Sequence, residues 1–302
     1  MKLLNSYGAG FSQTFNKKKL VTTIYAILLL FALAIAIPFS KTIKIEAGNS
    51  MAISKLLNDF NYTVYTDFMR EAGKAINPYI SIAFWIAVLY LVFTIFFSGG
   101  ILTLLKDETN DKSLKSFWQG CAIYFWRFFR LALYMIILQF IAFIAVYIPL
   151  SAIIVSISKT STEPTIFYTA IAGFIVHLVI FITLLTVTDY AKVMMVRHDE
   201  YRPLRTIFRS FGFVFRHLFS TIGLYKSLLI FPVVLFVLYF IVIDKIGMFS
   251  GFTIFITFII QQAFIWLRVY VKVWYLASEL DLYNKFDKQD VPQVEGEPVF
   301  ES

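Results

Sequence analysis

His177 stands near the middle of an apolar run from Thr165 to Thr188. An imidazole in hydrocarbon must find a partner, so it reads as a proton relay, a substrate contact or an interhelical hydrogen bond. Gln139, Gln261 and Gln262 fall in other apolar runs and carry the same readings. Asp189 closes the run that holds His177, and Arg268 lies near the end of the last run. Placed at similar depth, these two are expected to pair, as a structural contact or as a gate. These six residues are the intramembrane polar candidates.

A second set is basic. Arg197, Arg202, Arg205, Arg209 and Arg216 crowd the stretch between two apolar runs. Leu204, Ile207, Phe208, Phe211, Phe215 and Leu218 recur there at the spacing of one helix face, with the arginines mostly off it. That pattern predicts a helix lying at a membrane surface, with cations beside anionic lipid phosphates. Lys115, Arg127 and Arg130 belong to a similar aromatic and basic stretch ninety residues earlier. Lipid, or a protein partner in a membrane complex, suits these surfaces better than nucleic acid, because they lie between spans.

Other chemistries lack their residues. His177, His198 and His217 show no metal-binding spacing, and the lone Cys121 rules out an internal disulfide or a cysteine metal cluster. There is no phosphate-binding glycine loop and no nucleophile elbow. No cofactor and no catalytic residue are expected. His198-Asp199-Glu200 reads as a solvated turn.

The elements that hold these residues follow from composition. The 302 residues are 59% hydrophobic and 15% charged, where a soluble chain would carry about a quarter charged residues. Six runs are long enough to cross a bilayer, which takes roughly 20 residues each. They fall at about 20–37, 79–105, 131–156, 165–188, 227–243 and 251–276. The first is expected to stop at Pro38 and to be retained, since no cleavage pattern follows it. Between the first two runs, Ile53, Leu56, Leu57, Phe60, Val64 and Phe68 make a further helix-spaced pattern. Residues 1–278 form the membrane domain, and 279–302 are expected to be a flexible acidic tail. With the N-terminus inside, inner segments hold twenty of the Lys and Arg residues and outer segments seven. That asymmetry puts both termini in the cytoplasm, on a cytoplasmic (inner) membrane.

The chain repeats internally. Leu114-Lys115-Ser116-Phe117-Trp118 aligns with Leu204-Arg205-Thr206-Ile207-Phe208, ninety residues on. Phe11 to Lys19, ahead of the first run, forms a degenerate third copy. The expected fold is therefore all-α: six spans in three tandem two-span units, each opened by an interfacial elbow helix.

The segments FSGGILTLLKDETNDKSLKSFWQG and TDYAKVMMVRHDEYRPLRTIFRSFGFVFRH carry a resemblance. They resemble a bacterial group of six-pass membrane domains, which includes the one attached to some glycerophosphodiester phosphodiesterases and related families of no assigned function. The resemblance implies elbows before spans one, three and five. No phosphodiesterase domain lies in these 302 residues, so no catalytic residue carries over. The reading reached is a non-enzymatic membrane protein, acting as a scaffold, an accessory subunit or a lipid organiser. The alternatives are a translocator of small molecules or lipids and, third, a lipid-modifying enzyme.

Overall fold

The computed structural model describes residues 2–48, 60–106, 114–158, 162–246 and 250–290. Every regular element among them is a helix: α1 (Lys2–Asn16), α2 (Lys18–Ala47), α3 (Tyr62–Lys106), α4 (Leu114–Ile157), α5 (Glu163–Arg197), α6 (Pro203–Arg216), α7 (Leu218–Ile246) and α8 (Gly251–Asp290). Six of them, all but α1 and α6, are long and apolar enough to cross a membrane. At most 22% of any of their apolar windows is buried within the protein. So much outward apolar surface suits a solvent of lipid chains, where only structures that satisfy their own backbone can cross.

The helices outrun the predicted spans. The first was expected to stop at Pro38, yet α2 runs on to Ala47. Pro78, Pro149 and Pro232 also lie inside continuous helices. Within a span, as at Pro149 and Pro232, breaking the helix would leave further backbone groups unsatisfied in lipid, so the helix continues through the proline. The Asn61 side chain accepts from the Thr63 and Val64 backbone N–H groups, at 3.0 and 3.2 Å. It caps α3 and begins it far ahead of position 79. Val64 and Phe68 therefore sit in the first turns of α3, while Ile53, Leu56 and Leu57 lie outside the described residues.

The predicted acidic tail is also corrected. The last helix continues to Asp290, and Leu280, Leu282 and Tyr283 are buried. Residues 279–287 belong to the packed protein because apolar side chains recur there on the inward face of α8. The rest of the expected tail, 291–302, lies outside the described residues.

The chain forms two compact bodies. The smaller, Lys19–Thr94, holds most of α2 and the first part of α3. Its helices meet through Phe31 and Phe93, with ring centroids 4.9 Å apart, and through a hydrogen bond from Thr42 to Tyr79.

The larger body joins Met1–Lys18 to Ile95–Ser302. Close approach at small residues holds it together, since lipid gives apolar helices no hydrophobic reason to associate. On α1, Ser6, Gly10 and Thr14 form one buried stripe that faces α8. A β-carbon on Gly10 would come 2.7 Å from the backbone nitrogen of Ser278. On α4, a β-carbon on Gly120 would meet Thr103 of α3 at 2.6 Å. On α6, Ser210 donates a buried 2.7 Å hydrogen bond to the Val187 carbonyl of α5. Gly10, Gly120 and Ser210 occupy the same place in the three sequence copies, at steps of 110 and 90 residues.

The elbows differ in one respect. The chain turns at Lys17 and at His217, separating α1 from α2 and α6 from α7. At the matching Arg127 the helix runs straight through, so the second elbow is the first part of the 44-residue α4 rather than a separate helix. Thr221 helps to explain the break at His217, because its hydroxyl lies within bonding distance of the Val214, His217 and Leu218 carbonyls that the turn leaves open. Leu131, its counterpart in α4, has no hydroxyl to offer.

Replacing Gly10 by Leu should push α1 off α8. Overpacking of this kind costs about 1–3 kcal/mol. Gly212, on α6, has open space around its α-carbon. Its replacement by Ala should leave stability unchanged or raise it by up to about 1 kcal/mol through helix propensity. Thermal melting in mild detergent separates the two outcomes.

Candidate functional site

The intramembrane candidates do not converge. His177 sits among the rings of Phe143, Tyr147 and Phe181, with centroids 5.8, 5.2 and 6.3 Å away. Gln139 donates a long 3.4 Å bond to the Phe181 carbonyl. The two thus share the α4–α5 contact. Gln261 and Gln262 lie half-buried on α8. The expected pair of Asp189 and Arg268 does not form. Asp189 instead binds Lys192, one turn along α5, at 2.7 Å, and Arg268 is exposed on α8. A partner three residues away on the same helix is reached without aligning two helices, and so the local pair wins.

The basic residues divide by environment. Arg202, Arg205, Arg209 and Arg216 are exposed on and beside α6, and Arg197 is half-buried at the end of α5. The single apolar face expected for α6 is in fact two. Pro203, Thr206, Ile207, Ser210 and Val214 are buried in the protein. Leu204, Phe208 and Phe215 form a separate exposed stripe, which Phe219 at 92% exposure extends into α7. At about 100° per residue the helix therefore carries three successive stripes: protein-facing, exposed apolar and arginine. Lys115 and Arg130 are exposed on α4.

Arg127 is not part of that surface. It is 5% exposed, donates to Asp199 at 2.5 Å and lies 3.5 Å over the Tyr201 ring. The His198-Asp199-Glu200 turn is exposed, as expected, and its side chains also form a junction. Asp199 takes the left-handed backbone, φ 48°, which a short polar side chain tolerates. It also accepts from Tyr124 at 3.3 Å. His198 bonds the Tyr283 hydroxyl of α8 at 2.8 Å, and Glu200 stands 3.8 Å from Arg209. Lys106 donates to the Val196 carbonyl close by. This turn, with the Val196 carbonyl just before it, links α3, α4, α5, α6 and α8.

A further cluster lies beside it that the sequence reading missed. Glu279 of α8 is 1% exposed, and Tyr190 of α5 is fully buried. Tyr225 of α7 meets Tyr275 of α8 edge to face at 5.1 Å. All three tyrosines feel the charges of both Glu279 and Asp189. Both Glu279 oxygens and the hydroxyls of Tyr190 and Tyr275 are buried without a hydrogen bond of good geometry, although Tyr275 stands beside the carboxylate. The signal lay in the repeat, since Glu279 is ninety residues beyond Asp189. Ending the last span at 276 hid it. Among the described residues, no group of three or more His, Cys, Asp or Glu could hold a metal ion.

Comparison with family models, curated proteins and solved structures finds no match. The arrangement of its own residues is thus the guide to what the chain does.

The Asp199 junction has a defined pH response. Arg127's hydrogen bond holds the Asp199 carboxyl below its usual range; burial opposes it, and the charge of Arg127, the Tyr124 hydrogen bond and the charge of Lys106 add to the lowering. The resulting stabilisation is present above the unfolded carboxyl value, about 3.9, and is lost as pH falls through the lowered folded value. The effect is modest, because the Asp199 side chain is 55% exposed. Asp199→Asn should flatten the acid limb of a melting-temperature profile below about pH 4. At pH 7 it should cost about 1–2 kcal/mol, the scale of a hydrogen bond to a charged group.

Proposed function

We propose that this integral multi-pass protein is a non-enzymatic organiser of anionic lipid at the cytoplasmic face of an inner membrane. The observation that carries the reading is the three-stripe division of α6. A helix held to the protein by one side, offering phenylalanines on the next and arginines on the third, is built to lie in the headgroup plane. Its apolar stripe dips toward the acyl chains. Its arginines meet phosphates, for which the guanidinium fork is well suited. The first elbow supports the same reading with Phe11 and Phe15 exposed beside the Ser6-Gly10-Thr14 seat, and with Lys18 3.5 Å over the Phe15 ring. The excess of Lys and Arg at the elbow ends supports placing that side in the cytoplasm, and both termini with it.

Lipid is favoured over a protein partner because the exposed aromatic stripe continues into the apolar surface of α7, where Ile230, Val233 and Val234 are exposed. A translocation path through His177 is not favoured, since rings crowd it from both α4 and α5.

Native mass spectrometry of the purified protein tests the reading. The wild type should retain anionic lipid. Arg202→Glu, Arg205→Glu and Arg209→Glu together should lower that retention about tenfold or more, at about 1 kcal/mol for each cation near an anionic surface. Arg127→Gln, which alters a buried side chain, should leave it unchanged. Unchanged lipid in the triple variant, or its replacement by a stoichiometric protein, would overturn the reading.

A further inference from the structure

Gly212 lies in the interior of α6, where a glycine weakens a helix relative to alanine. Elsewhere in the larger body such a glycine lets two helices close up, as Gly10 does on Ser278 and Gly120 on Thr103. Gly212 serves neither a close approach nor a turn: an added β-carbon would meet nothing within 4 Å, and its φ is not positive. It is exposed, and so are its neighbours on the helix surface. Residues four before and three after a helix position flank it on one side; those three before and four after flank it on the other. For Gly212 the first pair is Phe208 and Phe215, and the second is Arg209 and Arg216. The glycine is therefore a gap, one side chain wide, on the border between the phenylalanine and arginine stripes.

This border is peculiar to the third elbow. The matching residues Ser12 and Ala122 are also small and exposed, but Ala9 and Asn16, or Gln119 and Trp126, stand where α6 has arginines. Gly8, open in the same way on α1, has Leu4, Asn5, Phe11 and Ser12 at those four spacings and no cation.

We infer that Gly212 floors a seat for one anionic glycerophospholipid, an inference that rests on the lipid-organising reading of α6. The phosphate lies against Arg209 and Arg216, the glycerol over the bare α-carbon, and an acyl chain along Phe208 and Phe215. Such a lipid changes from charged to apolar at its glycerol, and α6 makes the same change at Gly212. Guanidinium forks match phosphate oxygens. Arg209 stands 3.8 Å from Glu200, too far for a hydrogen bond, so Glu200 leaves its N–H donors available. A soluble phosphate would use the arginines and leave the phenylalanines uncovered. The apolar surface that continues onto α7 through Phe219 and Ile230 favours lipid.

Native mass spectrometry of the full chain in mild detergent, titrated with phosphatidylglycerol, tests the seat. The wild type should take up one phosphatidylglycerol more tightly than any that follow. Gly212→Leu fills the gap and should weaken that first step about tenfold or more, the scale of overpacking a site. Its melting temperature should stay level or rise, because leucine favours a helix and meets nothing there, so lost binding is not lost folding. Gly212→Ala adds one methyl and should give a smaller loss; it carries the test if the leucine variant unfolds. Arg209→Gln with Arg216→Gln should also weaken the first step. Ala122→Leu, at the matching place in the second elbow, should leave it unchanged. Diacylglycerol, which lacks the phosphate, should not occupy the seat. An unweakened first step in the Gly212 variants, an equal loss in Ala122→Leu, or equally tight diacylglycerol would overturn the inference. If the Gly212 variants match the wild type while the Arg202, Arg205 and Arg209 variant loses lipid, the seat fails and the lipid-facing reading of α6 stands. If all of them keep their lipid, both fail.

Discussion

Close backbone approach at small residues is the constraint on which the larger body depends. Apolar helices in lipid gain nothing by hiding apolar surface from their surroundings, so their association rests on contact and hydrogen bonding. Gly10 against Ser278, Gly120 against Thr103, and Ser210 against the Val187 carbonyl supply that contact. Each seats an elbow on the end of another helix. Around these seats longer polar bonds finish the join. Trp274 donates to the Tyr7 carbonyl at 3.0 Å, Lys285 reaches Ser6 at 3.0 Å, and Lys17 bonds the Leu104 carbonyl.

Seating the elbows has two consequences. It fixes the rotation of α6, so that the phenylalanine stripe and the arginine stripe are left outside. It also brings the ends of α5, α7 and α8 together around side chains that are costly to bury. Asp189 and Glu279 occupy matching positions in successive units. One of them found a lysine on its own helix and the other did not. The repeat therefore produced two related acidic positions with different surroundings.

Much of this was legible in the sequence. The six apolar runs, the absence of strands among the described residues and the offset of ninety residues all follow from periodicity and length. Helix ends were less legible. Pro38 looked like a stop because proline breaks helices in water, and the acidic composition after 276 looked like a tail because Leu280, Leu282 and Tyr283 are sparse among charges. The fate of individual charges depended on tertiary placement. Arg127 and Arg130 are three residues apart in one basic stretch, yet one is buried on Asp199 and the other is exposed. Asp189 was matched to a distant Arg268 when Lys192 stood one turn away. In α6, the helical period was read correctly, but a period alone does not say how many partners a helix has.

The most direct measurement is amide hydrogen exchange across residues 277–287 of the purified protein. If the seat of α1 on α8 closes the larger body, these amides should exchange as slowly as those of 187–196 in α5, and Gly10→Leu should selectively speed them. Rapid exchange over 277–287 in the wild type, at the rate of an exposed peptide, would contradict the packing, and with it the placement of Glu279 inside the protein.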